Sequence, residues 1–148
     1  YKLRNNMPGG YVWILGITIT CVATDIGGYI FGKIFKGPKL TKFSPNKTYA
    51  GMIGGYFLSI VSMNIFLQNS YFLGGIEFSR QIFILLILIS TISQLGDIII
   101  SYFKRLSKIK DTGKIIPGHG GLLDRVDGMI FAFPFSYFIL STDMLAYF

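Results

Sequence analysis

Hydrophobic positions in this chain fall into four long runs, at about 11–35, 51–67, 82–103 and 126–148, parted by shorter stretches rich in Lys, Gly, Pro, Ser and Asn. Each run approaches the roughly 20 residues that an α-helix needs to cross a bilayer. Backbone groups in lipid must find their hydrogen bonds inside the segment, so the spans are predicted as helices. The runs are rich in β-branched residues, but no period-2 alternation supports strands. The pattern predicts an all-α, polytopic integral membrane protein of about four transmembrane helices, with its polar loops carrying the chemistry.

Composition agrees. The 148 residues leave room for one domain over 1–148. They are 51% hydrophobic and 14% charged, with a mean hydropathy of +0.55, which argues against a soluble globule. The lone Cys21 lies mid-span between Thr20 and Val22, so it reads as a small buried hydrophobe and no disulfide framework exists. The chain begins with Tyr1, its YKLRNN start resembles no signal peptide, and its end falls inside an apolar run. The expectation is a portion of a longer protein that lacks N-terminal helices.

The net charge of +7 is concentrated. Lys33, Lys36, Lys39, Lys42 and Lys47 fill one connection, and Lys104, Arg105, Lys108, Lys110, Lys114 and Arg125 fill another, together eleven of the fourteen cations. Two spans separate these segments, so they face one side, and the positive-inside rule makes it the cytoplasm. Lys2 and Arg4 run against that rule. Basic loops also attract anionic lipid, which accounts for the cations but not for the aspartates and glycines among them. Nucleic acid is excluded as a partner because the cations border spans instead of forming one exposed face. A transport path would spread its charges through the membrane depth; here they cluster at one side.

At 100° per residue, Asp97, Ser101, Lys104 and Lys108 share a helix face in a 4-3-4 spacing. Asp25, Tyr29, Gly32 and Lys36 do the same at the end of the first span, with Gly28 alongside. Small residues there suit close helix packing. Asp25 is different: a carboxylate inside a span costs about 2.5–3.5 kcal/mol on insertion scales, which predicts a cation partner. Further on, Pro117-Gly118-His119-Gly120-Gly121 breaks any helix, and its glycines let backbone N–H groups approach an anion. Asp124 and Asp127 follow at i and i+3, an arrangement suited to Mg²⁺, which takes one or two carboxylates plus substrate phosphates. Taken alone, the same aspartates serve as helix-dipole partners. His119 reads either as a general acid–base or phosphate-facing donor, or as a structural residue of the glycine turn. With no second His or Cys nearby it is not a zinc ligand.

Two blocks carry a resemblance. Ser101-x2-Lys104-Arg105-x4-Lys110-Asp111-x5-Pro117-Gly118-His119-Gly120-Gly121-x2-Asp124-Arg125-x-Asp127 resembles the signature of the phosphatidate cytidylyltransferase (CDP-diacylglycerol synthase) family. So does Asp25-x3-Tyr29-x2-Gly32, followed by Lys39-Leu40 and Ser44-Pro45-x-Lys47-Thr48-x2-Gly51. The likeness covers about 25–130. Ala50 and Ile100 depart from it, standing where the family commonly has Glu.

The resemblance implies a transferase that joins CTP and phosphatidate, giving CDP-diacylglycerol and pyrophosphate, at a bacterial inner membrane with the site facing the cytoplasm. It implies Mg²⁺, with Mn²⁺ as a substitute and a monovalent cation such as K⁺ as a further candidate. A homodimer is compatible with it. Under this reading Asp97, Asp124 and Asp127 hold metal. Lys104, Arg105, Lys110, Asp111, His119 and Arg125 are the catalytic set. Asp25, Lys39, Ser44, Lys47, Ser101, Gly118, Gly120 and Gly121 bind substrate. A related transferase acting on another lipid phosphate or a polyprenol would carry the same head-group chemistry.

Overall fold

A computed structural model describes residues 10–41, 47–69, 78–109 and 123–142, with the side chains of the last segment described from Val126 onward. Four helices make up the fold: α1 Gly10–Phe35, α2 Tyr49–Asn69, α3 Arg80–Leu106 and α4 Leu123–Ser141. With 26, 21 and 27 residues, α1, α2 and α3 are long and apolar enough to cross a membrane. At about 1.5 Å per residue each exceeds the roughly 30 Å hydrocarbon core. The apolar part of α4, Val126–Ser141, is shorter and contains Pro134. The all-helical, polytopic architecture expected from the hydrophobic runs is therefore present, with three full-length spans and a shorter fourth helix among the described residues.

The ends of these helices follow from local chemistry. Thr48 caps α2, its Oγ1 accepting from the Gly51 N–H at 3.1 Å, and Ser79 caps α3, accepting from the Ile82 N–H at 3.3 Å. At the other end of α3, the Ile109 N–H bonds to the Lys104 carbonyl at 3.0 Å and the Lys108 N–H to the Arg105 carbonyl at 3.1 Å. That is a Schellman closure, with Lys108 in the left-handed region at φ 55°. Lys36 stands just past α1 with φ 48°. Two expectations are corrected by these ends. The stripe Asp97–Ser101–Lys104 lies on α3, but Lys108 has left the helix and the face; Lys36 likewise falls beyond the stripe of α1.

α1 packs most extensively on α2, and α3 on α4, with α1 and α2 also touching α3 and α1 touching α4. The α1–α2 contact is made by glycines. A Cβ at Gly27 would stand 2.5 Å from the Gly54 carbonyl oxygen, and one at Gly51 would stand 2.5 Å from that of Gly28. Backbones this close require residues without side chains, as in other small-residue seams between membrane helices. The apolar core lies toward one end. Ile17, Cys21, Leu85, Ile89, Ala132 and Ile139 form one buried cluster from α1, α3 and α4. Met63, Leu67, Ile82 and Leu86 form another from α2 and α3. Cys21 is fully buried there, as its position between Thr20 and Val22 suggests.

Toward the opposite end the buried residues turn polar. Thr24 Oγ1 and Ser90 Oγ share a hydrogen bond of 2.9 Å, and Tyr56 OH and Thr91 Oγ1 share another of 2.9 Å. Hydroxyls of this kind satisfy one another between helices where lipid offers no partner. Of these residues, Thr24 also lines the site.

Candidate functional site

A pocket of about 310 Å³ opens at the polar end of the bundle, a volume at the lower limit of small-molecule sites. All four helices and the α1–α2 connection contribute. α1 gives Thr24, Asp25, Gly28 and Tyr29; α3 gives Gln94, Asp97 and Ser101; α4 gives Asp127. Leu40, Lys47, Thr48, Gly51 and Met52 come from the connection and the start of α2. The C-terminal halves of α1 and α3 and the N-terminal ends of α2 and α4 thus meet here. The positive ends of two helix dipoles therefore approach the pocket, which favours anionic ligands.

The connection is shaped to deliver Lys47. Lys39 and Thr48 form an isolated antiparallel bridge, the Leu40 N–H bonds to the Lys47 carbonyl at 2.7 Å, and the Tyr49 N–H bonds to the Pro38 carbonyl at 3.2 Å. This folds the chain back over the α1 end and aims Lys47 at α3. Its Nζ stands 3.1 Å from Asp97 Oδ2. A second ion pair joins Lys104 Nζ to Asp127 Oδ2 at 3.7 Å, linking α3 to α4. Both pairs are largely screened from solvent, with side-chain exposures of 29% and 14% in the first and 14% and 12% in the second.

Three carboxylates therefore meet from three helices. Asp25 and Asp127 both lie near enough to Asp97 for their carboxylates to interact electrostatically with it. Gly128 permits the approach of α4, because a Cβ there would stand 2.8 Å from Asp97 Oδ1 and 2.5 Å from Ser93 Oγ. The Gly128 N–H donates to Asp127 Oδ1 at 3.0 Å and fixes that carboxylate. Asp25 is open to the pocket. The direct cation partner expected for Asp25 is not found among the described residues: Lys47 is close enough to act on it, yet pairs with Asp97.

Two ionised carboxylates keep such a spacing only with positive charge beside them. Here three carboxylates face two ammonium groups, and Asp97 Oδ1 is buried without a hydrogen-bond partner among the described residues. Oxygen donors of this kind suit a hard divalent cation. Among the described residues no three acidic, His or Cys side chains close around one point. The residues present thus fit a cation that takes one or two protein carboxylates and completes its shell with water and phosphate oxygens.

Of the residues singled out in the sequence, the structure brings Asp25, Lys47, Asp97, Ser101 and Asp127 to one pocket, with Lys104 held against it through Asp127. Lys39 and Arg105 are exposed and outside the pocket lining. Ser44, Lys110, Asp111, Gly118, His119, Gly120 and Gly121 lie outside the described residues, as do the side chains of Asp124 and Arg125. Leu40, from the second motif block, also lines the pocket, whereas Thr24, Gln94 and Met52 line it without having been anticipated. Gln94 alone had a readable signal, as an amide in an apolar span one helical turn before Asp97.

The fold and the pocket define a polytopic helical membrane protein with a charged site at one end of its bundle. The chain belongs to the cytidylyltransferase family, whose sequence model matches residues 1–143. It is 39% identical over 131 residues to the phosphatidate cytidylyltransferase of Brucella suis biovar 1 (strain 1330), a match covering 88% of this chain and 47% of that protein. It is 41% identical over 138 residues to the phosphatidate cytidylyltransferase of Staphylococcus aureus (strain COL), covering 90% of this chain and 50% of the relative. The chain thus spans about half the length of the curated relatives it matches. The likeness carried by the two motif blocks is borne out.

Proposed function

We propose that this chain is the catalytic portion of an enzyme that transfers the cytidylyl group of CTP to phosphatidate, releasing pyrophosphate and forming CDP-diacylglycerol. The observation that carries this reading is the meeting of Asp25, Asp97 and Asp127 with Lys47 and Lys104 at the polar end of a membrane-spanning bundle. That is where a soluble polyphosphate and a lipid head group come together. Family membership and the two relatives named above support the same assignment.

The chemistry asks little of a base. A phosphate monoester has a second pKa near 6, so phosphatidate is already a dianionic nucleophile at neutral pH. One of its oxygens attacks the α-phosphorus of CTP, the bond from that phosphorus to the β-phosphate bridging oxygen breaks, and pyrophosphate leaves with the electron pair. The obstacle is bringing one anion onto another, and catalysis of such transfers is mostly positioning and charge neutralisation. Lys47 and Lys104 supply cations at the pocket, and the N-terminal ends of α2 and α4 add their dipoles. Asp97 and Asp127, with Asp124, would hold Mg²⁺ or Mn²⁺, which neutralises phosphate charge when bound. Asp25 and Ser101 line the wall facing the substrate, and Tyr29, Leu40 and Met52 give it an apolar side suited to the start of the lipid. The site faces the cytoplasm of a bacterial inner membrane in this reading, because the basic connections adjoin it.

The test is pyrophosphate release by the full-length protein in detergent. Release that requires CTP, phosphatidate and Mg²⁺ together supports the assignment. Release with a polyprenyl phosphate but not with phosphatidate would reassign the acceptor.

A further inference from the structure

Lys47 is bound in a way that a simple phosphate-binding lysine would not be. Its backbone is pinned by the Leu40 N–H bond and by the adjoining Lys39–Thr48 bridge, and Thr48 is committed to capping α2. Its side chain reaches from that fixed point to Asp97 Oδ2 at 3.1 Å. The Nζ is buried and, among the described residues, has no hydrogen bond besides this ion pair. An ammonium carries three donors, and a buried one with a single partner is poorly compensated for its lost water. The carboxylate it holds belongs to the residue that sits between Asp25 and Asp127.

We propose that Lys47 is a resident counter-ion that occupies the Asp97 carboxylate until a divalent cation arrives with a polyphosphate, and then transfers to the phosphate. This rests on the reading of Asp97 as a ligand of the cation. A divalent ion on Asp97 and an ammonium on the same carboxylate repel each other at short range. A cation arriving alone must therefore expel Lys47 with no better acceptor on offer. A cation arriving with nucleotide brings several anionic oxygens, which satisfy the Lys47 donors more fully than one carboxylate does. The consequence is coupling: cation and nucleotide each raise the other's affinity, and thermodynamic reciprocity makes the two factors equal. The pocket thus binds a free divalent ion weakly and the metal–nucleotide pair more tightly.

The test is a titration of the full-length protein in detergent with free Mn²⁺ and no nucleotide, following the loss of the aqueous Mn²⁺ paramagnetic resonance signal. Lys47→Gln should bind Mn²⁺ about tenfold more tightly than wild type, within the usual 5–150-fold range of coupling between sites. Lys47→Arg, which keeps the charge, should show no such gain. Lys47→Gln should at the same time weaken binding of CTP in Mg²⁺. Lys47→Met provides a second neutral variant in case the Gln protein is not folded. Asp97→Asn separates the two claims. If Asp97→Asn loses Mn²⁺ but neither neutral variant gains it, the counter-ion role is wrong and the ligand role of Asp97 stands. If Asp97→Asn binds Mn²⁺ as wild type does, both are wrong.

Discussion

Gly128 and Asp97 approach so closely that a methyl group on Gly128 would stand 2.8 Å from Asp97 Oδ1. The same methyl would lie 2.9 Å from the Ser93 carbonyl oxygen, a backbone atom that cannot swing aside. The absence of one side chain on α4 thus sets how near Asp127 comes to Asp97. Gly128→Ala should push α4 outward, lowering stability by about 1–3 kcal/mol, as overpacking does. It should also reduce turnover by separating the two carboxylates. Gly37→Ala is the control, since its Cβ would meet nothing closer than Ala50 Cβ at 3.7 Å; a surface change of that kind stays within about 0.5 kcal/mol. Thermal unfolding in detergent alongside an activity assay reads both variants. Equal behaviour of the two would show that the α3–α4 approach is not set at Gly128.

The connection carrying Lys39 and the end of α3 carrying Lys108 should face the same side of the membrane. Lys47 reaches from that connection to Asp97 on α3, and Lys104 on the last turn of α3 pairs with Asp127. Lys39 and Lys108 are both exposed at that end. Single cysteines at these positions, in a Cys21→Ser background, should react with an impermeant maleimide from the cytoplasmic side only. Labelling from opposite sides would break the bundle's topology.

Much of this was legible in the chain, and the limits have physical causes. Helices and their polar ends follow from the length of the apolar runs, and the Asp97–Ser101–Lys104 face follows from helical periodicity. Lys108 was misplaced because a Schellman closure ends α3 at Leu106, and nothing in Leu106-Ser107-Lys108 marks that end, where glycine is the usual residue. The meeting of Asp25 with Asp97 is a tertiary fact. It depends on the glycine seam that draws α2 onto α1 and on the contact of α1 with α3, and no local pattern encodes a contact between residues so far apart in sequence. For the same reason the expected cation partner of Asp25 proved to be a neighbour paired elsewhere. Leu40 and Met52 line the pocket only because the Lys39–Thr48 bridge folds the connection back over it.

Transfer should proceed in one displacement, without a covalent enzyme–nucleotide intermediate. Cys21 is fully buried and does not line the pocket, while the lipid phosphate is a competent nucleophile without activation. Chiral α-thio-CTP should give product inverted at the α-phosphorus. Net retention would require two successive displacements and a nucleophile on the protein.

In the proposed reaction Asp97 and Asp127, brought together from α3 and α4, would hold the divalent cation that neutralises phosphate charge during transfer. The most direct measurement is the rate of labelled cytidylyl transfer from CTP to phosphatidate by full-length Asp97→Asn and Asp127→Asn proteins, each first shown to be inserted and folded. Asp124→Asn belongs in the same series. Each variant should lose about 10²–10³-fold at saturating Mg²⁺, the range seen when one preorganised charge-stabilising group is removed. Activity close to wild type in either Asp97→Asn or Asp127→Asn would contradict it.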